Sequence, residues 1–233
     1  MVYNGNIKVG SISDIIFTEV ITMSKEFKIR TKNKDVYLRV QKGHFATMHS
    51  HTNYFIDVTT QKMRLSDAKA VAEELVTHYQ VNTIVDTILC LDGMEVVGTC
   101  IAELLTKDDY VNMNAHRTIY VMSPEFIAGG QIMLRDNVLH MISGKHVLIL
   151  SASVTTGKSV LAAIDAVNYY GGNVVGASAI FATVEECDGN PVYSVFDPND
   201  LGDYESYKPH KCPICQSGEK LEAIVNSYGY SKL

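Results

Sequence analysis

The stretch VLILSASVTTGKSVLA, Val147 to Ala162, decides the fold. Apolar residues Val147–Leu150 read as a buried strand, Thr155-Thr156-Gly157-Lys158-Ser159 as a small-residue loop, and Ser159–Tyr170 as a helix. The order strand, loop, helix presents backbone N–H groups and a helix N-terminus to a phosphate. Working outward, Gly171-Gly172 ends that helix as a C-cap and Val174–Ala182 reads as the next strand. Upstream, Ile84–Leu91 and Thr118–Met122 are short apolar runs with strand character. A helix over Leu65–Tyr79 follows from the spacing of Ala68, Val71, Ala72, Leu75, Val76 and Tyr79, with Ser66 as N-cap. Asp92-Gly93 makes a turn, and Glu95–Leu105 is the helix after it. Alternating strands and helices imply an α/β fold: a mostly parallel sheet covered by helices on both faces. Ligands bind such sheets at the carboxyl ends of the strands. Two loops fall there, Leu91–Glu95 and Ser151–Ser159.

The ends of the chain have a different character. Ile12–Thr22 reads as a short helix or strand and Asp35–Val40 as a strand, inside an N-terminal segment of residues 1–42. An α/β core over residues 43–196 closes with a β-hairpin around Asp188-Gly189-Asn190. Residues 197–233 form an extension that carries Cys212-Pro213-Ile214-Cys215 and a short strand near Glu222–Val225. Ser123–Asn137, with Pro, Gly-Gly and scattered charge, reads as a long loop.

The 233 residues are 46% hydrophobic and 20% charged, enough for one full core. A formal net charge of −6 lacks the basic footprint of a nucleic-acid binder. No apolar run is long enough to span a membrane, and Met1–Gly10 lacks the blocks of a signal peptide, so a cytoplasmic protein is expected. The five cysteines form no obvious disulfide framework; Cys90, Cys100 and Cys187 read as thiols in or beside apolar runs.

Ala152–Ser159 fits a loosened GxxxxGK[ST] phosphate loop, with Lys158 on the terminal phosphates and Ser159 on magnesium. Against that reading, Ala152 replaces the first glycine, and Val174–Phe181 has no terminal Asp for the metal.

A second reading rests on several segments in order. Gly43–Asp57 is similar to a "GxF…Tyr" opening, and Leu91-Asp92-Gly93-Met94-Glu95 and Ser123–Asn137 occupy the places of a diphosphate loop and a flap. VLILSASVTTGKS matches in its hydrophobic strand and Thr-Thr-Gly turn. In these features the chain, from about Lys42 onward, resembles the type I phosphoribosyltransferases, and within them the orotate phosphoribosyltransferases. The resemblance implies transfer of a 5-phosphoribosyl group from phosphoribosyl diphosphate (PRPP) to a nitrogenous base, a pyrimidine such as orotate, in nucleotide biosynthesis or salvage. It also implies Mg2+ and a homodimer. Thr155, Thr156, Gly157, Lys158 and Ser159 would hold the 5-phosphate, Ser151 would face the ribose, and Asp92, Gly93, Met94 and Glu95 would line the diphosphate side. Phe45, Tyr54, Arg117 and Arg135 are the candidates for base or anion contacts.

The chain departs from the family pattern at telling positions. Ser151 and Ala152 stand where the family has two adjacent acidic residues, which removes charge able to stabilise a developing oxocarbenium ion. Met48 stands where a lysine is often found, Asp92 stands where the diphosphate loop often has a lysine, and Val184 falls at the orotate-contacting arginine. The alternative function is therefore a non-catalytic regulatory protein that binds PRPP or a nucleotide.

Two groups of metal-ligand residues remain. His44, His49 and His51 are close in sequence, and His49 and His51 share one side of an extended segment. His210, Cys212 and Cys215 form His-x-Cys-x-x-Cys, the chelating half of a zinc site, with Cys187 as a possible fourth ligand; free thiols on a tight turn are the alternative.

Overall fold

The computed structural model describes residues 26–31, 36–107, 112–115 and 118–233. The Ile12–Thr22 segment, His116 and Arg117 lie outside the described residues. The described part of the chain opens on three antiparallel strands, β1 (Glu26–Arg30), β2 (Tyr37–Ala46) and β3 (His51–Asp57). Helices α1 (Thr59–Met63) and α2 (Leu65–Val76) follow, then β4 (Thr87–Cys90), α3 (Glu95–Thr106) and β5 (Tyr120–Met122). A small antiparallel hairpin, β6 (Glu125–Phe126) and β7 (Ile132–Met133), precedes β8 (His146–Val154), α4 (Lys158–Tyr169) and β9 (Asn173–Ala182). Next come β10 (Glu186–Cys187), β11 (Asn190–Phe196), β12 (Ser206–Tyr207), α5 (Pro213–Gln216), β13 (Ala223–Asn226) and β14 (Gly229–Lys232).

The central sheet runs β10-β11-β9-β8-β4-β5, and β11, β9, β8, β4 and β5 are mutually parallel. Side chains of β8 alternate between faces as a strand requires. Leu148 and Leu150 pack with Val71, Leu75 and Ile101 from α2 and α3. Val147 and Ile149 pack with Val160, Ile164 and Val167 from α4. Both faces are covered, as the apolar periodicity requires. Gly98 lets α3 lie directly on the sheet: a Cβ there would stand 2.6 Å from the Cys90 sulfur.

The strand order places the site. From β4 the chain passes through α3 to β5 on one side; from β8 it passes through α4 to β9 on the other. Since α3 and α4 cover opposite faces, a crevice opens between the carboxyl ends of β4 and β8.

A second sheet, β12-β3-β2-β13-β14 with β1 also on β2, stands over this crevice as a hood. It joins chain ends far apart in sequence: β13 adds to β2 in parallel through Ala223↔Phe45 and Ile224↔Ala46. The division expected between residues 42 and 43 thus falls inside β2. Within the long loop expected at Ser123–Asn137, β6 and β7 pair as a short hairpin with Gly129 and Gly130 at its tip. Ser66 does not cap α2: the N-cap is Arg64, and the Ser66 hydroxyl bonds Asp67. The hairpin at Asp188-Gly189 forms as expected, both residues at positive φ.

Candidate phosphate-binding site

Strand β8 ends at Val154, and only Thr155, Thr156 and Gly157 separate it from α4. Gly157 is the N-cap of α4 with φ 70, and no side chain caps the first turn. The early amides of a helix have no intrahelical acceptors and carry the positive end of its dipole. Thr155, Thr156, Gly157, Lys158 and Ser159 all border one cavity of about 240 Å3. Gly157 is required twice over: its φ disfavours a side chain, and a Cβ would meet the Cys187 sulfur at 2.8 Å. Thr183 fixes the loop from behind, its N–H donating to Val154 O at 2.9 Å and its hydroxyl to Thr155 O at 2.6 Å. The loop is therefore held by its carbonyls.

The phosphate-loop reading of Ala152–Ser159 does not match this geometry. Ala152 and Ser153 belong to β8, and Ala152 is fully buried, so the first half of that motif is strand.

Across the crevice, Asp92 and Gly93 take successive positive φ values, 57 and 78, between β4 and α3. Asp92 borders the cavity and, among the described lining residues, brings its one carboxylate. Ser151 donates its hydroxyl to Asp92 Oδ2 at 2.7 Å, Ala152 N lies 3.4 Å from the same oxygen, and Ser227 donates to Oδ1 at 3.0 Å. Ser151 is buried, does not line the cavity, and has its hydroxyl committed to Asp92; its neighbour Ser153 lines the cavity. Met94 is fully buried as the N-cap of α3, and Glu95 accepts a hydrogen bond from Ser123 just before the β6–β7 hairpin.

Lys62, which nothing in the sequence singled out, supports this loop. It is 1% exposed, and its Nζ donates to Asp92 O and to Ser227 O, both at 2.6 Å. Burial lowers its pKa from the usual lysine value, with Asp92, Glu95 and Asp57 opposing the shift. Its Nζ also lies 4.9 Å from the centre of the Tyr228 ring.

The hood forms the far wall. The turn between β2 and β3 contributes Thr47, Met48, His49 and Ser50, and the turn after β13 contributes Asn226 and Ser227. Thr47 and Ser50 lock their turn through four mutual hydrogen-bond contacts, including Thr47 N to Ser50 O at 2.7 Å. Tyr204 borders the cavity too; burial raises its phenol to about 12, which keeps it a hydrogen-bond donor at neutral pH.

The candidates for base or anion contact do not converge. Tyr54 lines the cavity and donates to Asp203. Phe45 is a core residue packed with Phe55, Ala223 and Val225. Arg135 forms a bidentate pair with Glu125 across the β6–β7 hairpin, both bonds 2.7 Å. Val184 packs against the cluster around α4.

The cysteine tail has a different partner set from the expected one. Cys212 and Cys215 meet His44 and His51, with one ligand atom from each residue lying within 4.8 Å of all the others. His210 is not in this group, and Cys187 lies instead beside Gly157.

The fold is similar to that of solved phosphoribosyltransferases. Among solved structures, the UMP synthase of Leishmania donovani superposes with a TM-score of 0.50 at 18% identity, covering 70% of this chain and 34% of that one. A phosphoribosyltransferase of Corynebacterium diphtheriae superposes with a TM-score of 0.48 at 22% identity, covering 70% and 91%. In sequence, 79 residues are 37% identical to the orotate phosphoribosyltransferase of Thermoanaerobacter sp. (strain X514). That match covers 34% of this chain and spans about two-fifths (40%) of the length of that relative. No protein-family model matches the chain. No described helix is long and apolar enough to cross a membrane.

Proposed function

We propose that this chain is a phosphoribosyltransferase that binds PRPP and transfers its 5-phosphoribosyl group to a ring nitrogen of a base, a pyrimidine such as orotate. One observation carries the reading: the uncapped α4 N-terminus, entered through left-handed Gly157, borders a cavity at the switch point of a parallel sheet. The 5-phosphate lies on the amides and hydroxyls of Thr155–Ser159, with Lys158 adding charge. The diphosphate extends toward Asp92–Glu95. In the transfer, the bond from ribose C1 to the diphosphate oxygen breaks, diphosphate leaves with the electron pair, and the base nitrogen supplies the pair for the new C–N bond. Positive charge develops on the sugar meanwhile, and a nearby carboxylate stabilises it.

Asp92 is the group available for that task. Its carboxylate comes from the neighbouring loop and is bonded to Ser151, at the position where the family pattern has its first acidic residue. The donor set does not suit a resident Mg2+. Asp92 already accepts from Ser151 and Ser227, and no second carboxylate lines the cavity among the described residues. Magnesium, as the resemblance implies it, would enter with the diphosphate as part of the substrate.

The same commitment of Asp92 favours a second reading, a protein that binds PRPP or a nucleotide without turnover. One experiment separates the two: incubation with PRPP, Mg2+ and a panel of bases that includes orotate and adenine, with diphosphate release and PRPP binding measured in parallel. Release with one base supports the transferase. Binding without release supports the regulatory reading, and no binding removes both. A cytoplasmic, homodimeric protein whose flap reaches the neighbouring site belongs to the same proposal, and sedimentation of the purified chain tests the dimer.

A further inference from the structure

The strongest unassigned chemistry lies among residues that do not line the cavity. Four side chains from three elements converge: His44 from β2, His51 from the start of β3, and Cys212 and Cys215 at the start of α5. The Cys212 sulfur is 3.5 Å from His44 Nε2, the Cys215 sulfur is 3.6 Å from the same nitrogen, and the Cys215 sulfur is 3.3 Å from His51 Nδ1. Metal–sulfur bonds of about 2.3 Å and metal–nitrogen bonds of about 2.0 Å, set at tetrahedral angles, separate sulfur from nitrogen by about 3.5 Å. The observed spacings are those of ligands around a common centre.

His44 is fully buried, and its Nδ1 lies 3.1 Å from the Glu219 carbonyl oxygen. A carbonyl only accepts, so Nδ1 carries the proton and Nε2 presents a single lone pair. Both sulfurs stand against that one lone pair; with one S–H donated to His44 Nε2 and the other to His51 Nδ1, the approach of the Cys215 sulfur to His44 Nε2 serves no hydrogen bond. A cation at the centre satisfies both sulfurs and both nitrogens together. The Nδ1–H bond to a backbone carbonyl is also the usual outer support that orients a metal-bound histidine.

We infer that His44 Nε2, His51 Nδ1 and the thiolates of Cys212 and Cys215 bind one Zn2+ in a closed tetrahedral site. Two thiolates and two imidazoles suit Zn2+ rather than Mg2+ or Ca2+, and four protein ligands leave no position for a substrate, so the ion is structural. It fastens the C-terminal extension to the β2–β3 hairpin. The fastening reaches the cavity: His44 and His51 flank the Thr47–Ser50 turn, and the extension goes on to Asn226 and Ser227 in the cavity wall. The zinc site stands whether or not the cavity binds PRPP.

The test uses full-length protein purified under reducing conditions without chelator, with metal content measured by mass spectrometry. One equivalent of zinc per chain is expected. Protein stripped of metal and reloaded with Co2+ should show the visible bands of tetrahedral cobalt with thiolate charge transfer, and Zn2+ should abolish them. Cys215→Ser and His51→Asn should each lose most of the bound metal; both side chains have solvent access, so these variants avoid disturbing the buried pair. His210→Ala should keep the full equivalent. Chelation of the wild type should expose residues 197–233 to proteolysis. Reduced, folded protein that takes up neither Zn2+ nor Co2+ overturns the inference. So does a Cys212–Cys215 disulfide that persists under those conditions, or a His210→Ala variant that loses metal as Cys215→Ser does.

Discussion

Replacing Gly157 with alanine probes the phosphate cradle at the position where backbone and packing both require glycine. At φ 70 an L-residue costs about 1–2 kcal/mol. The new Cβ also stands 2.8 Å from the Cys187 sulfur, so the hairpin bearing Cys187 must shift. Gly144 provides an internal control: its φ is +69 and nothing lies within 4 Å of the added Cβ. Gly144→Ala isolates the backbone strain, and Gly157→Ala adds the collision. In a chain of this size each kcal/mol lowers the Tm by about 2–4 °C. Gly144→Ala should therefore lose about 2–8 °C and Gly157→Ala more, with Cys187→Ala restoring only the excess. PRPP binding separates the variants further. Displacing one amide that donates to a phosphate oxygen forfeits about 1.5–3 kcal/mol, so the Gly157→Ala Kd should rise by about ten- to a hundredfold. Gly144→Ala should bind as the wild type does. Thermal denaturation and titration calorimetry measure the two effects. A folded Gly157→Ala protein with wild-type affinity for PRPP would refute the cradle.

Asp92→Asn keeps a side chain that tolerates positive φ and removes the charge; diphosphate release should fall by about a hundredfold or more while PRPP still binds, as single-turnover assays can show. Lys62→Met leaves two carbonyls without their donor and should cost about 1–3 kcal/mol for each in urea denaturation, unless water replaces it. The lysine also has a pH signature. Its pKa is lower in the folded than in the unfolded chain, so between those two values the unfolded state binds more protons and wild-type stability rises with pH relative to Lys62→Met. A difference that stays flat as pH rises to the unfolded lysine value counts against the burial of the charge. Arg135→Gln breaks an exposed ion pair and should change stability by under about 1 kcal/mol, yet raise the KM for PRPP if the flap closes over the diphosphate.

The central sheet was legible because its signals are local. Apolar runs at Ile84–Leu91 and Val147–Leu150 and the alternation with helices gave the parallel core, since a strand buried on both faces must be apolar throughout. The Thr-Thr-Gly bend was legible for the same reason: strand, loop and helix follow one another without a break. The hood was not, because its pairings are long-range. Phe45 meets Ala223 across most of the chain, and no short window reports that adjacency. The metal ligands failed on the same ground. His210 is the nearest histidine to Cys212 in sequence, but His44 is its neighbour in space. Lys62 was missed because a lysine in a short polar helix resembles a solvated one; only the loop it supports reveals its burial. Phe45 misled in the opposite direction: beside a glycine and a histidine an aromatic looks like a ligand contact, yet it fills the hood core.

The neutral Ser151 and the carboxylate of Asp92 belong together physically. Were Ser151 a carboxylate, it would lie at hydrogen-bond distance from Asp92, and two anions that close in a buried site would not both ionise. A serine there turns the repulsion into a donor bond, and Ser227 from the extension adds a second donor. Lys62 then secures the backbone that carries the carboxylate by bonding Asp92 O and Ser227 O at once. One anion thus stands on the loop facing β8 and is fixed there by residues from α1, β8 and the turn after β13. This coupling explains why the C-terminal extension belongs to the site: without its Ser227, Asp92 loses a donor and Lys62 an acceptor. Ser151→Asp alone should therefore disturb the loop, whereas Ser151→Asp with Asp92→Asn preserves a single negative charge across the same contact.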